Sequence, residues 1–205
     1  MPRDGLLIVI SGPSGTGKGA LAGALKKRRN MLFDSISVTT RMPREGEIEG
    51  IDYSFRTRQQ FEQMIKNDEL LEWDNYCGNY YGTPVAFINE KASQGFDVLF
   101  EITIKGADEI IRRYPDCVSI FILPPSFDEL RRRIKDRGTE NNNVIEMRLS
   151  EAKNEILKIS SYKYVIINDD LETAVNHLSS IIDAEKLTFA RNKDLLSLYG
   201  YNQEV

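Results

Sequence analysis

Residues 6–10, Leu-Leu-Ile-Val-Ile, form an apolar run without polar alternation, the pattern of a parallel strand covered on both faces. The run passes straight into a glycine-rich turn. Beyond it Ala20, Leu21, Ala24 and Leu25 recur at helical spacing up to the basic cluster 26–29, whose charge suits a helix C-terminus. Apolar runs return at 98–102, 118–123 and 165–167, and between them lie helical patterns over 106–113, 127–135, 144–159 and 171–182. Strands alternating with helices predict an α/β fold of three layers, a parallel central sheet with helices on both sides. From 37 to 94 the rhythm breaks into short aromatic segments around Tyr53, Trp73 and Tyr81, one helix near 59–66, and turns at Gly46, Gly50, Gly78 and Gly82. This stretch reads as a small inserted lobe of mixed or antiparallel strands. A polar, glycine-containing segment over 137–143 is a candidate mobile lid, and the polar tail beyond 186 suggests a loose terminal helix.

A length of 205 residues fits one domain with insertions and allows a substantial core. Net charge is −4 and the isoelectric point about 5.3, which argues against general binding of nucleic acid or anionic membrane; a basic site must be local. Two cysteines, Cys77 and Cys117, lack both a disulfide framework and metal-ligand spacing, so a cytoplasmic location is expected. The one histidine, His177, sits in a helical pattern and is expected to have a surface or packing role. The apolar run at 6–10 is too short for a signal-peptide core or a membrane span.

The candidate chemistry starts in the turn after the first strand. Gly12-Pro13-Ser14-Gly15-Thr16-Gly17-Lys18-Gly19 lies between a strand and a helix, the context that gives a phosphate-binding loop its meaning. Its backbone amides and the positive helix end suit phosphate oxygens, and Lys18 suits a transferring phosphoryl group. A helix start alone needs neither three glycines nor a lysine. The residue that would normally follow with a hydroxyl is absent: Gly19 and Ala20 stand there.

Five separated segments then carry a resemblance. The strings SVTTRMPREGEIEGIDYSF from Ser37, LLEWDNYCGNYYGTP from Leu70, IFILPPSFDELRRRIKDRGTE from Ile120 and VIINDDLETA from Val165, together with the loop, resemble guanylate kinases from the loop to about residue 185. The resemblance implies phosphoryl transfer from ATP to GMP with Mg2+, by one domain over 1–185. It divides into a core (1–36 and 95–185), a GMP-binding lobe (37–94) and a lid (about 137–148), with a C-terminal tail over 186–205 and a monomeric or homodimeric assembly.

Arg41 and Arg44 flank Pro43 and, with the phenols Tyr53 and Tyr81, make a suitable cage for a phosphate monoester. Guanine presents N1–H and its 2-amino group side by side, and the carboxylate of Glu72 can accept both; adenine offers no such pair. By resemblance, Ser37 and Thr83 place hydroxyls at the base, Arg133, Arg137 and Arg148 close over the phosphates, and Asn168 and Asp169 lie near the adenosine of ATP. Arg131 and Arg132 are expected on the solvated face of their helix.

The sequence departs from that family at Ala20, at Thr103, where an acidic residue is usual, and at Lys105, where glutamine is frequent. The expectation is that ATP oxygens, water and Glu101 hold the magnesium, less firmly than in a typical member. A kinase for another small phosphoryl acceptor, or a binding module that has lost catalysis, stays open as an alternative. The motif expected of a GTP-dependent switch is absent.

Overall fold

The computed structural model describes residues 5–200, apart from Cys77, Phe87 and 137–141. Five parallel strands form the central sheet in the order β2-β7-β1-β8-β9: β1 (Leu7–Ser11), β2 (Leu32–Asp34), β7 (Asp97–Glu101), β8 (Val118–Leu123) and β9 (Tyr164–Ile167). Along β1, Ile8 and Ile10 point to one side and Val9 to the other, and all three are fully buried, as an unalternated apolar run requires. One side is covered by α1 (Lys18–Lys26) and α7 (Leu171–Lys186), through Leu21, Leu25, Val175, Leu178 and Ile182. The other takes Ile88 of α3 (Ile88–Ser93) and Ile104, Ala107 and Ile110 of α4 (Ile104–Arg113), packed with Phe100 and Phe121. Each of these Leu, Ile, Val and Phe side chains stabilises the fold by roughly 1.5–3 kcal/mol relative to exposure.

A second sheet, of order β4-β3-β6-β5, is built from β3 (Val38–Thr39), β4 (Ser54–Phe55), β5 (Leu70–Tyr76) and β6 (Asn79–Pro84). Its β3–β6 and β5–β6 pairs are antiparallel, and β3–β4 is parallel. The amphipathic helix α2 (Arg58–Lys66) covers one face: Phe61 packs with Val38, Leu70 and Tyr80. Thr57 and Gln60 cap it reciprocally, satisfying two orphan amides. The sheet's other face is polar, and that face carries the site.

Helices α5 (Phe127–Asp136) and α6 (Asn142–Ile156) pack as a pair through Leu130, Ile134, Ile145 and Leu149. Among its described residues the tail beyond 186 has a 3-10 turn (Phe189–Arg191) and a short helix, α8 (Leu195–Leu198). Among the described residues no helix is long and apolar enough to cross a membrane.

Candidate active site

The loop between β1 and α1 is shaped by its glycines. Gly12, Gly15 and Gly17 have φ of 141°, 92° and 85°, a region that L side chains rarely adopt. A Cβ at Gly12 would lie 2.3 Å from the carbonyl oxygen of Ile122, and one at Gly17 would lie 2.4 Å from Asn168 Nδ2. Gly17 caps α1 without any side-chain bond, and the first helical turn carries no acidic residue. The helix amides therefore face the loop unblocked, a ready anion site. Lys18 Nζ donates to the carbonyls of Gly12 and Pro13 (2.5 and 3.1 Å), which holds the ammonium across the loop. Thr16 closes the turn by donating from its hydroxyl to Pro13 O (2.9 Å). Gly19 and Ala20 are exposed at the start of α1.

The polar face of the second sheet arranges the base-reading candidates in a row. Glu72 pairs with Thr83 in the β5–β6 ladder, and the β3–β6 register, continued by one position, sets Ser37 opposite Thr83. The next row holds Thr39, Tyr81 and Asp74. Side chains two apart on a strand share a face, so both rows point the same way. Thr83 donates to Glu72 Oε1 (2.6 Å), and Glu72 is 6% exposed. Burial pushes the Glu72 carboxyl up to about 7; Asp74 adds to the rise, while the Thr83 bond and Lys105 oppose it. A Cβ at Gly106 would lie 2.4 Å from Glu72 Oε2, so a larger residue there would displace this carboxylate.

Three of the phosphate-cage candidates, Arg41, Tyr53 and Tyr81, meet beside these rows, and the fourth, Arg44, is exposed and tied in only through its backbone amide. Arg41 lies over the Tyr53 ring (5.3 Å to its centroid), and Tyr53 meets Tyr81 edge to face (6.1 Å). Arg41 Nη2 donates to both oxygens of Glu47 (2.8 and 3.0 Å), and the Arg44 amide donates to Glu47 Oε2 (2.7 Å). Burial opposes the Arg41 charge, yet the Glu47 pairing leaves its pKa above the ordinary value. The Tyr53 phenol is pushed up first by burial and then by the charge of Glu101. The cage thus lies within electrostatic reach of the carboxylate at the end of β7. Both oxygens of Glu101 would in turn lie 3.5 Å from a Cβ at Gly19, which brings that carboxylate to the glycine loop.

Thr103 does not share this setting. β7 ends at Glu101 and the chain turns, so the Thr103 hydroxyl caps α4 by accepting from the Gly106 amide (3.2 Å) and donates to Asp74 Oδ2 (3.3 Å, long for such a bond). In the structure the partners of Thr103 lie on the Glu72 side of the site.

On the third side, Arg133 of α5 donates to Glu129 (2.7 Å) and to the Asn168 carbonyl (2.9 Å), and Arg148 of α6 donates to the Ser14 hydroxyl. Arg131 and Arg132 are exposed and pair with acids of their own helix. Asn168 is buried and its amide donates to Thr16 O (2.8 Å), which makes it a strut beneath the loop. Asp169 is exposed beside it, and His177 is exposed on α7. Arg137 lies outside the described residues, as does 138–141 of the lid candidate.

The sequence reading passes over Glu155, on the Arg148 face of α6 at i+7: burial raises its carboxyl and the Lys18 ammonium lowers it. Helical spacing from Arg148 was the available signal. Asp74 is also passed over; its signal was an acid two residues from Glu72 on one strand face. Among the described residues no three His, Cys, Asp or Glu side chains gather into a metal cage. A single carboxylate such as Glu101 beside a phosphate loop fits magnesium, which keeps waters and phosphate oxygens as most of its ligands.

The guanylate kinase family model matches residues 5–185. A guanylate kinase of Carboxydothermus hydrogenoformans is 51% identical over 185 residues, covering 90% of this chain and 91% of that protein. One of Bacillus subtilis is 49% identical over 188 residues, covering 91% and 92%. The crystal structure of guanylate kinase from Anaplasma phagocytophilum superposes with a TM-score of 0.82 at 33% identity, covering 98% of each chain. A glycine loop with its lysine, a polar sheet face around Glu72 and arginines from two further helices are thus found within a match that spans nearly the whole length, and the chain belongs to the guanylate kinase family.

Proposed function

We propose that this chain catalyses ATP + GMP = ADP + GDP, with the base of GMP read on the polar face of the second sheet and ATP held at the glycine loop. The observation that carries this reading is the row Ser37–Thr83–Glu72. It sets a buried carboxylate, already accepting one hydroxyl proton, where an N1–H and amino pair is its natural partner. Ionised Glu72 accepts both donors of guanine, and adenine offers its buried carboxylate no such pair beyond the Thr83 bond, a mismatch that supports discrimination of about 10⁴-fold.

The GMP phosphate is held by Arg41, Arg44, Tyr53 and Tyr81. Glu47 orients Arg41 and the Arg44 backbone, which supports an Arg41 guanidinium positioned before substrate arrives. The loop amides and Lys18 stabilise the charge that spreads over the transferring group; Arg133 and Arg148 add positive charge from the other side, and Arg137 is assigned the same role by resemblance alone. Exclusion of water falls to α5 and α6 above the loop, where a Cβ at Gly15 would meet Ile134 and Leu130 side chains at 3.0 and 3.2 Å. Mg2+, when bound, supplies charge neutralisation of the phosphates, with Glu101 as its protein carboxylate at the loop. A cytoplasmic location is part of the same reading, supported by the use of soluble nucleotides.

The test is ADP release with ATP and GMP in the parent and in Lys18→Ala. The parent turns over, and the variant, with an unchanged thermal unfolding profile, loses about a hundredfold or more. A folded variant with parental turnover overturns the assigned role of the loop.

A further inference from the structure

Thr103 stands where the family resemblance has an acidic residue, yet the structure sets a carboxylate directly against it. Asp74 is 9% exposed, lies two residues from Glu72 on the same face of β5, and occupies the row beside the Ser37–Thr83–Glu72 row. Its Oδ1 accepts from Lys105 Nζ (2.8 Å) and from the Asn75 amide (2.8 Å), and its Oδ2 accepts from Thr103 Oγ1 (3.3 Å). A hydroxyl has one proton and two lone pairs. With the proton on Asp74 and one lone pair on the Gly106 amide, the Thr103 oxygen keeps one acceptor direction.

We propose that Asp74 is a positioning residue of the base site: it supplies from β5 the negative charge that position 103 lacks and fixes the Thr103 hydroxyl as an acceptor for an amino group of the purine. This rests on the guanine reading above. Lys105 completes the exchange. Its side chain is 68% exposed, so its pairing with Asp74 orients a carboxylate without burying a second charge. A purely structural tie between β5 and α4 would need neither the bond to Thr103 nor a place in the row beside Glu72.

The charge of Asp74 is also felt by Glu72. The groups that face Glu72 are Asp74 from its own strand and Lys105 and Glu109 from α4, with Asp108, Arg112 and Arg113 lining the same cavity of about 390 Å³. Asp74 and Glu109 raise the Glu72 pKa, and Lys105 lowers it.

The experiment measures GMP saturation at saturating ATP in the parent, Asp74→Ala, Asp74→Asn, Thr103→Asp and the double variant Asp74→Ala/Thr103→Asp, each checked by thermal unfolding. Asp74→Ala raises the KM for GMP about tenfold, the scale of one charge-assisted contact, while kcat and the KM for ATP stay within about twofold. Thr103→Asp keeps a helix cap and returns the charge to the same place, so the double variant recovers to within about threefold of the parent. Asp74→Asn keeps the shape and removes the charge, so the midpoint of the pH dependence of the GMP KM moves to lower pH; titration of the GMP phosphate itself is common to both proteins. A GMP KM unchanged in Asp74→Ala, no recovery in the double variant, or an unmoved midpoint in Asp74→Asn overturns the proposal. A parent that binds GMP but transfers no phosphate to it overturns the functional reading itself, and the same titration distinguishes the two.

Discussion

Glu72, the proposed reader of the base, also acts on stability. Its folded pKa of about 7 stands above the ordinary 4.5, so the folded state binds this proton more tightly than the unfolded chain does. Its contribution to stability is complete below pH 4.5 and is lost as pH rises towards 7, a swing on the order of 3 kcal/mol. Glu72→Gln carries no charge at any pH. Without nucleotide, thermal unfolding of Glu72→Gln relative to the parent should therefore gain between pH 5 and pH 8, and a relative loss over that range contradicts the burial argument. In steady-state kinetics the same variant should lose at least about a hundredfold in kcat/KM for GMP, with the KM for ATP nearly unchanged. Glu72 was legible through the resemblance, which implies guanine and hence a carboxylate for its donor pair, and Lys18 because its spacing after the glycines matches a phosphate-binding loop. The Thr103–Asp74 bond was not. Its meaning depends on where β7 stops and which way the next turn faces, and neither leaves a mark in residue spacing.

At the scale of elements, the contact between α4 and β5 determines whether the base site forms. Gly106 sits inside α4, where alanine would improve helix propensity by up to about 1 kcal/mol. The methyl group, however, would arrive 2.4 Å from Glu72 Oε2, and the neighbouring Cδ is 2.8 Å away. Gly106→Ala should thus keep or raise the unfolding temperature while raising the KM for GMP about tenfold or more, as the displaced carboxylate loses its alignment. Parental GMP kinetics in this variant would show that the helix can retreat without cost to the site. Elements were unequally visible. The central strands β1, β7 and β8 are apolar on both faces and so read as continuous runs, and α2, α4 and α5 show clear helical periodicity. Strands β3 and β4 are two residues long and β2 three, below the length at which alternation is a signal. Helix α3, at six residues, was missed for the same reason.

For the whole molecule, two sheets divide the labour. The parallel sheet brings the loop, Glu101 and Asn168 to the C-terminal ends of its strands, and the second sheet presents a polar face with its apolar face sealed by α2. With a net charge of −4 a phosphate site has to be assembled locally, and the cations proposed for it lie on α1, in the segment after β3, and on α5 and α6. That the stretch 37–94 differs from its surroundings was legible from broken periodicity. The polar rows it carries were not, because register between strands is a property of pairing rather than of any one segment. The central claim is that this fold transfers phosphate to a guanine nucleotide chosen by its base. The most direct measurement is kcat/KM with ATP and GMP against kcat/KM with ATP and AMP on the unmodified chain. The account predicts a preference for GMP of about 10⁴-fold; equal use of the two monophosphates, or a preference for AMP, contradicts it.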